Sequence, residues 1–191
     1  MASRIWVGRE THPDGESISG DKATVTKQHR WLATLYGRLP ILATLAARRW
    51  SADSGEIPWS PARIALREAC IALVTSAGVH LKGDQPFDME NPEGDASFRV
   101  IPGDTALPDL TITHDYYDHG AADRDVNCVF PLERLRDLAA ARRIARVAPR
   151  HIGTMGHILG AEERWLVTET APAIAKLLVE DGVDYVLATP G

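Results

Sequence analysis

Two spacings of apolar residues divide the chain. In KQHRWLATLYGRLPILATLAARRW, residues 27–50, Trp31, Leu32, Leu35, Leu39, Leu42, Leu45 and Ala46 recur at intervals of three and four. That period predicts a helix with one apolar face, kinked or split at Pro40. Further along, CIALVTS (70–76) is a short apolar run without alternation, the pattern of a strand buried on both faces. FRVIP (98–102) and DLTITH (109–114) predict further strands. VFPLERLRDLAAARR (129–143) predicts a helix with Pro131 at its first position and Leu132, Leu135 and Leu138 on one face. IARVAPRHIG (144–153) reads as a strand followed by a loop. TETAPAIAKLLVEDG (168–182) reads as a helix with Pro172 in its opening turn and Gly182 as its stop, and VDYVLATPG as the next strand. Alternating strands and helices predict an α/β layered domain with a mainly parallel sheet flanked by helices, preceded by a helical N-terminal segment. Residues 1–56 are expected to form an arm and that helical segment, and 57–191 the α/β domain. Residues 8–26 are polar and rich in turn formers, 51–61 form a connector in which Trp59 is a packing anchor, and no internal repeat appears.

Composition narrows the partners. The 191 residues are 45% hydrophobic and 25% charged, enough for one core, with net charge −5 and pI about 5.8. That balance offers no electrostatic footprint for nucleic acid or an anionic membrane. No apolar run is long enough to span a bilayer, and the N-terminus lacks the apolar core of a secretory signal. Two cysteines, Cys70 and Cys128, without a CxxC, make neither a disulfide framework nor a thiolate zinc site. A cytoplasmic location is expected.

Polar chemistry gathers after the strands, where α/β proteins build their sites. In TSAGVHLKGDQPFD (75–88), Gly78 and Gly83 allow tight turns and close approach to a bound group, and His80 and Asp84 lie between or beside them. No phosphate loop or GxGxxG appears. The densest block, THDYYDHGAADRDVNCVFP (113–131), holds His114, Asp115, Asp118, His119, Asp123, Arg124, Asp125 and Asn127. These side chains suit a metal site, an organic-substrate site with histidine as acid or base, or carboxylates that pair with Arg124 and cap the next helix. His114 and His119 do not have the spacing of a helical ligand pair. In APRHIGTMGHI (148–158), His151 is expected to face the same rim as His80, while Met155 reads as packing. All five histidines between 80 and 157 fall in segments read as loops. Cys128 reads either as a packed thiol or as a nucleophile activated by the following helix start. No GxSxG elbow is present, so acid–base groups are visible without a convincing nucleophile.

The segments IPWSP, ALVTSAGVHLKGDQPFD, GDASFRVIP, HDYYDHGAADRDVNCVFPLERL, APRHIGTMGHI and DGVDYVLATPG, in this order, resemble the selenoprotein B family of the glycine/betaine/sarcosine/D-proline reductases. The resemblance covers about residues 57–191. GVHLKGDQPFD and YDHGAADRDVNCVFPL are its most specific parts. In that family the equivalent of Thr-Pro-Gly is followed by selenocysteine or cysteine, and shortly by another cysteine. The resemblance implies that the nucleophile is expected just after Gly191, that a UGA codon was read as a stop, and that the 191-residue form is inactive. It implies an oxidoreductase of amino-acid metabolism that reductively cleaves a C–N bond in glycine, sarcosine, betaine or D-proline. It implies no cofactor in this chain, a partner subunit with a pyruvoyl group, a thiol or thioredoxin-type electron donor, and a homo- or hetero-oligomer. It also implies catalytic roles for His80, His119 and His151, with Gly78, Asp84, His114, Asp123 and Asn127 binding substrate. Two other readings remain: a metal-dependent hydrolase or lyase built on the 114–127 block, and a non-catalytic binding subunit.

Overall fold

Strand β1 (Cys70–Thr75) is the axis of the domain, and its burial on both faces explains its unbroken apolar sequence. The structure, a computed structural model, describes residues 60–191; the expected arm 8–26, the helical segment 27–50 and Trp59 lie outside them. Ile71 and Leu73 point to one face of β1, where they join Ile101, Phe130, Leu132 and Leu135. Cys70 and Ala72 point to the other, where they join Phe98, Ile152 and Leu178. Each large side chain removed from water in this way contributes roughly 1.5–3 kcal/mol, so β1 organises two cores at once.

The chain is a layered α/β domain with a mainly parallel sheet. After β1 come β2 (Val79–Leu81), β3 (Phe98–Pro102) and β4 (Leu110–Ile112), then helix α1 (Leu132–Ala140). Next are β5 (Arg146–Val147) and β6 (Arg150–Thr154), helices α2 (Gly160–Trp165) and α3 (Ala171–Glu180), and β7 (Tyr185–Thr189). β5 and β6 run parallel to β1 on one side, and β7 runs parallel to it on the other, with Thr75 opposite both Gly153 and Thr189. β3 adds an antiparallel edge against β6. β2 and β4 form a separate antiparallel pair, His80 opposite Thr111. α1 and the β2–β4 pair cover the Ile71 face, and α3 covers the Cys70 face. Among the described residues no helix is long and apolar enough to cross a membrane.

Three local readings of the sequence are corrected. First, 148–153 is not a loop. β5 stops at Val147, the chain is offset through Ala148 and Pro149, and β6 resumes pairing at Arg150. Proline has no N–H for the ladder, so it breaks the strand without ending it. Second, the helix around Pro172 begins earlier, at Gly160, and passes through a π-turn at Leu166–Thr170. There the Ala171 N–H reaches back to the Leu166 carbonyl, and the wider turn accommodates a proline that cannot donate. Third, residues 79–81, read as part of a loop, pair as β2.

One buried cation organises the 85–97 segment. Arg99, 4% exposed on β3, donates to the carbonyls of Gln85 (2.8 Å), Pro86 (3.0 Å) and Phe98, and to Ser97 Oγ. Its guanidinium lies 4.3 Å over the Phe87 ring and 3.7 Å from an Asp95 oxygen. A guanidinium with planar, well-spaced donors can gather that many carbonyls, and lysine cannot.

Candidate active site

The parallel strands end together, and the chain segments beyond them form one rim. Thr75 and Thr189, at the ends of β1 and β7, both donate their hydroxyls to the Val129 carbonyl, at 3.0 and 2.6 Å. The Ser76 N–H donates to the Thr189 carbonyl, and the Gly78 N–H to the Thr154 carbonyl. This stitching carries β7 to the rim, where Gly191 lies against Ala77 and Tyr117: a Cβ at Gly191 would sit 2.7 Å from Ala77 Cα and 3.0 Å from Tyr117 Cε1.

Three aromatic side chains of the 113–119 segment continue from that point. The Tyr117 hydroxyl donates to the Ala77 carbonyl (3.1 Å), and its ring meets His114 edge-on at 4.9 Å and His119 at 5.6 Å. Burial, and then the Asp123 charge, push the Tyr117 phenol up to about 12, so it stays protonated. His119 Nδ1 lies 2.9 Å from both Asp123 oxygens. The carboxylate therefore accepts the Nδ1–H, and Nε2 is the ring nitrogen left to meet a ligand. Turn bonds set the four-residue spacing of this pair: the Asp123 N–H donates to the His119 carbonyl, and Gly120 N–H to Asp118 Oδ1.

His114 differs from His119. It is 5% exposed, with the Tyr116 N–H facing Nδ1 and the Gly156 N–H facing Nε2, both at 3.2 Å. A neutral imidazole can accept at only one nitrogen, and a protonated one at neither. Burial first, then the neighbouring His157 and His119, lower its pKa to about 4. His114 is therefore a neutral spacer between the 113–117 and 155–157 segments.

The rim does not gather every residue expected there. His80 is 2% exposed on β2, with Nδ1 at 2.8 Å from the Leu81 carbonyl and Nε2 at 2.8 Å from Thr113 Oγ1. Burial lowers its pKa, and both nitrogens are committed to holding the β2–β4 pair. Asp84 sits in the turn after β2, its N–H on the Leu81 carbonyl. His151 is fully buried on β6, where Nδ1 accepts the Leu73 N–H at 2.9 Å. That N–H faces the gap between β5 and β6, so the imidazole replaces a missing ladder carbonyl. Its Nε2 has no hydrogen-bond partner among the described residues, and its ring meets Phe130 edge-on at 5.8 Å. Asn127 is committed as well: Oδ1 accepts the Glu133 N–H at the start of α1, and Nδ2 donates to Asp125 and Glu133. Gly78 shapes the rim through its backbone. Among the described residues, no three His, Cys, Asp or Glu side chains converge as a metal site. Tyr117 escaped the sequence reading, since tyrosines in an HDYYDH block carry no signal of which one faces the strand ends.

Two of the three buried imidazoles, His114 and His151, set an acid limit for the domain. Their pKa values lie at about 4, below the ordinary 6.5, so the unfolded chain binds protons first as pH falls. Stability from these rings is complete above about pH 6.5, is lost between 6.5 and 4, and falls no further below, a loss on the order of 3 kcal/mol per ring. In urea titrations at pH 7.5, 6.0 and 5.0, His151→Asn should flatten this slope, because asparagine offers the Leu73 N–H an acceptor that does not titrate. An unchanged slope would contradict the assignment.

The model of the family described as glycine/sarcosine/betaine reductase selenoprotein B matches residues 51–190. The D-proline reductase subunit gamma of Acetoanaerobium sticklandii is 44% identical over 133 residues, 70% of this chain and 53% of that protein. The glycine reductase complex component B subunit gamma of Carboxydothermus hydrogenoformans is 29% identical over 140 residues, 70% of this chain and 30% of that protein. The chain thus spans about half the length of one curated relative and under a third of the other. No solved structure matches the chain.

Proposed function

The chain belongs to the glycine/sarcosine/betaine reductase selenoprotein B family, and from that premise we propose that it is part of a subunit that reductively cleaves a C–N bond in an amino acid or N-methylated amino acid. The observation that carries the reading is the position of Gly191. It lies at the C-terminal edge of the parallel strands, against Ala77 and Tyr117, with His119 edge-on to Tyr117. A selenocysteine or cysteine following Gly191 in the full-length protein would stand where the fold concentrates its acid–base groups.

In this reading the selenolate or thiolate attacks the carbon that bears nitrogen. A bond from Se or S to carbon forms and the C–N bond breaks. The departing nitrogen takes the electron pair of the C–N bond; a primary or secondary amine then needs a proton, which in this reading His119 donates through Nε2 with Asp123 holding the ring, whereas a quaternary nitrogen leaves as a neutral amine without one. A dithiol then supplies two electrons to release the product and restore the nucleophile. Partner subunits, as the names of both relatives suggest, complete the enzyme, and a pyruvoyl group on one of them would bind the substrate amine. Gly78 shapes the rim that receives the substrate, and His114 holds its wall. His80, Asp84, His151 and Asn127 support the site from behind.

The test begins with the codon after Gly191. UGA in a frame that continues, or a cysteine codon, is expected. The full-length protein, reconstituted with its partner subunits and dithiothreitol, should then cleave glycine, sarcosine, betaine or D-proline, and serine at that position should abolish turnover. A different residue there, or no reductive cleavage of any of the four, would remove the reading.

A further inference from the structure

Gly191 leaves β7 through a slot with no room for a side chain. On one side stands Ala77, fully buried, its N–H held by the Thr75 hydroxyl at 3.2 Å and its backbone bridged to Met155. On the other stands the edge of the Tyr117 ring. A Cβ at Gly191 would lie 2.7 Å from Ala77 Cα, 3.2 Å from Ala77 Cβ and 3.0 Å from Tyr117 Cε1. Gly191 has no left-handed φ, so glycine is needed here for space and not for backbone conformation.

Ala77 is the fixed wall, and Tyr117 is the wall that needs holding. Its hydroxyl donates to the Ala77 carbonyl at 3.1 Å, which ties the two walls to each other. The phenol keeps its proton with a pKa pushed up to about 12, so the tie does not titrate near neutral pH. The ring also meets His114, itself fixed between the Tyr116 and Gly156 N–H groups. Its remaining ring contact is His119, the partly exposed imidazole. The same ring therefore touches both the end of the chain and the acid–base group.

We propose that Tyr117 is a positioning residue: tied to Ala77, its ring confines Gly191 and thereby sets where the residue after Gly191 stands relative to His119. The proposal rests on the reductase reading for the chemistry of that next residue. The confinement is a property of the slot and can be measured without turnover.

The test uses the full-length protein with cysteine at the position after Gly191, introduced where it is not native, and with Cys128 and other accessible cysteines changed to serine. A trifluoroethyl group on that cysteine is followed by fluorine NMR. In the parent, one resonance displaced from its position in the urea-unfolded protein is expected. Tyr117→Leu removes ring and tie, and Gly191→Ala overfills the slot; each should abolish most of the displacement or split the resonance. Tyr117→Phe keeps the ring and loses the tie, and should fall between. If Tyr117→Leu does not fold, Tyr117→Phe and Gly191→Ala decide the matter. In the assembled protein with its native nucleophile, Tyr117→Leu should lower kcat about a hundredfold and Tyr117→Phe about tenfold, with KM nearly unchanged. A resonance that moves in a protein without turnover would uphold the positioning and remove the reductase reading. A parent resonance already at its unfolded position, a resonance unmoved in the folded variants, or an active protein whose kcat ignores both Tyr117 changes would overturn the proposal.

Discussion

Gly78→Ala should leave little folded protein. Gly78 has φ +72°, where an L-residue costs roughly 1–2 kcal/mol. Space is the larger obstacle. A Cβ there would lie 2.3 Å from the Thr113 carbonyl oxygen and 2.9 Å from His114 Cβ. The two backbones cannot separate to make room, because the Thr113 N–H donates to the Gly78 carbonyl and the Gly78 N–H to Thr154. Moving residue 113 would disturb β4 pairing, the His80–Thr113 bond and His114 together. A loss of more than about 3 kcal/mol is expected, large against the whole stability of a domain this size. Urea unfolding and the soluble fraction on expression read it directly. Gly120→Ala is the matched control: its nearest obstacle is the Asp118 carboxylate at 3.3 Å, a side chain that can move, and its cost should stay within about 1 kcal/mol. Equal stability of the two variants would mean that the 77–78 and 113–114 segments are not packed as described.

The second large effect concerns turnover. In the assembled, full-length protein, the proposed reaction predicts that His119→Ala lowers kcat by about 10²–10⁴ while the melting temperature holds, since the ring is partly exposed and its loss opens no core cavity. Added imidazole should restore part of the rate. Asp123→Asn should cost less, because asparagine keeps an acceptor near Nδ1 but can also present an amide that turns the ring. A purely structural role for His119 would show the reverse: a lowered melting temperature, a small change in kcat and no rescue. His119→Ala with undiminished turnover would assign the proton to another donor, and His114, on the other side of the shared Tyr117 contact, is a poor one with its pKa at about 4.

Histidine pattern alone did not separate His119 from His80 and His151. All three follow or flank apolar runs, and each could be drawn at a rim. What separates them is where the chain goes next. His80 is captured by a two-stranded pair that forms only when β4 arrives from thirty residues away. His151 is captured by the gap that Pro149 leaves opposite Leu73. Neither partner is local, so neither capture leaves a periodicity in the sequence. Asn127 is the converse case. Its contact with the start of α1 spans only six residues; a cap from this block was among the open readings, because helix starts are built from nearby side chains, but it was read for the carboxylates and not for the Asn127 amide.

By itself the sequence determined the layered α/β class, the positions of β1, β3, α1 and β7 to within a few residues, and the family. Those features rest on the period of apolar residues, on proline and glycine punctuation, and on short stretches whose order is preserved, all local properties of the chain. Only the tertiary structure decided which polar groups face outward. A side chain's burial, proton and partner depend on which distant strand packs beside it. The pairing of β1 with both β6 and β7 thus brings residues 77, 117, 119 and 191 to one edge, while it seals His151 within the same sheet.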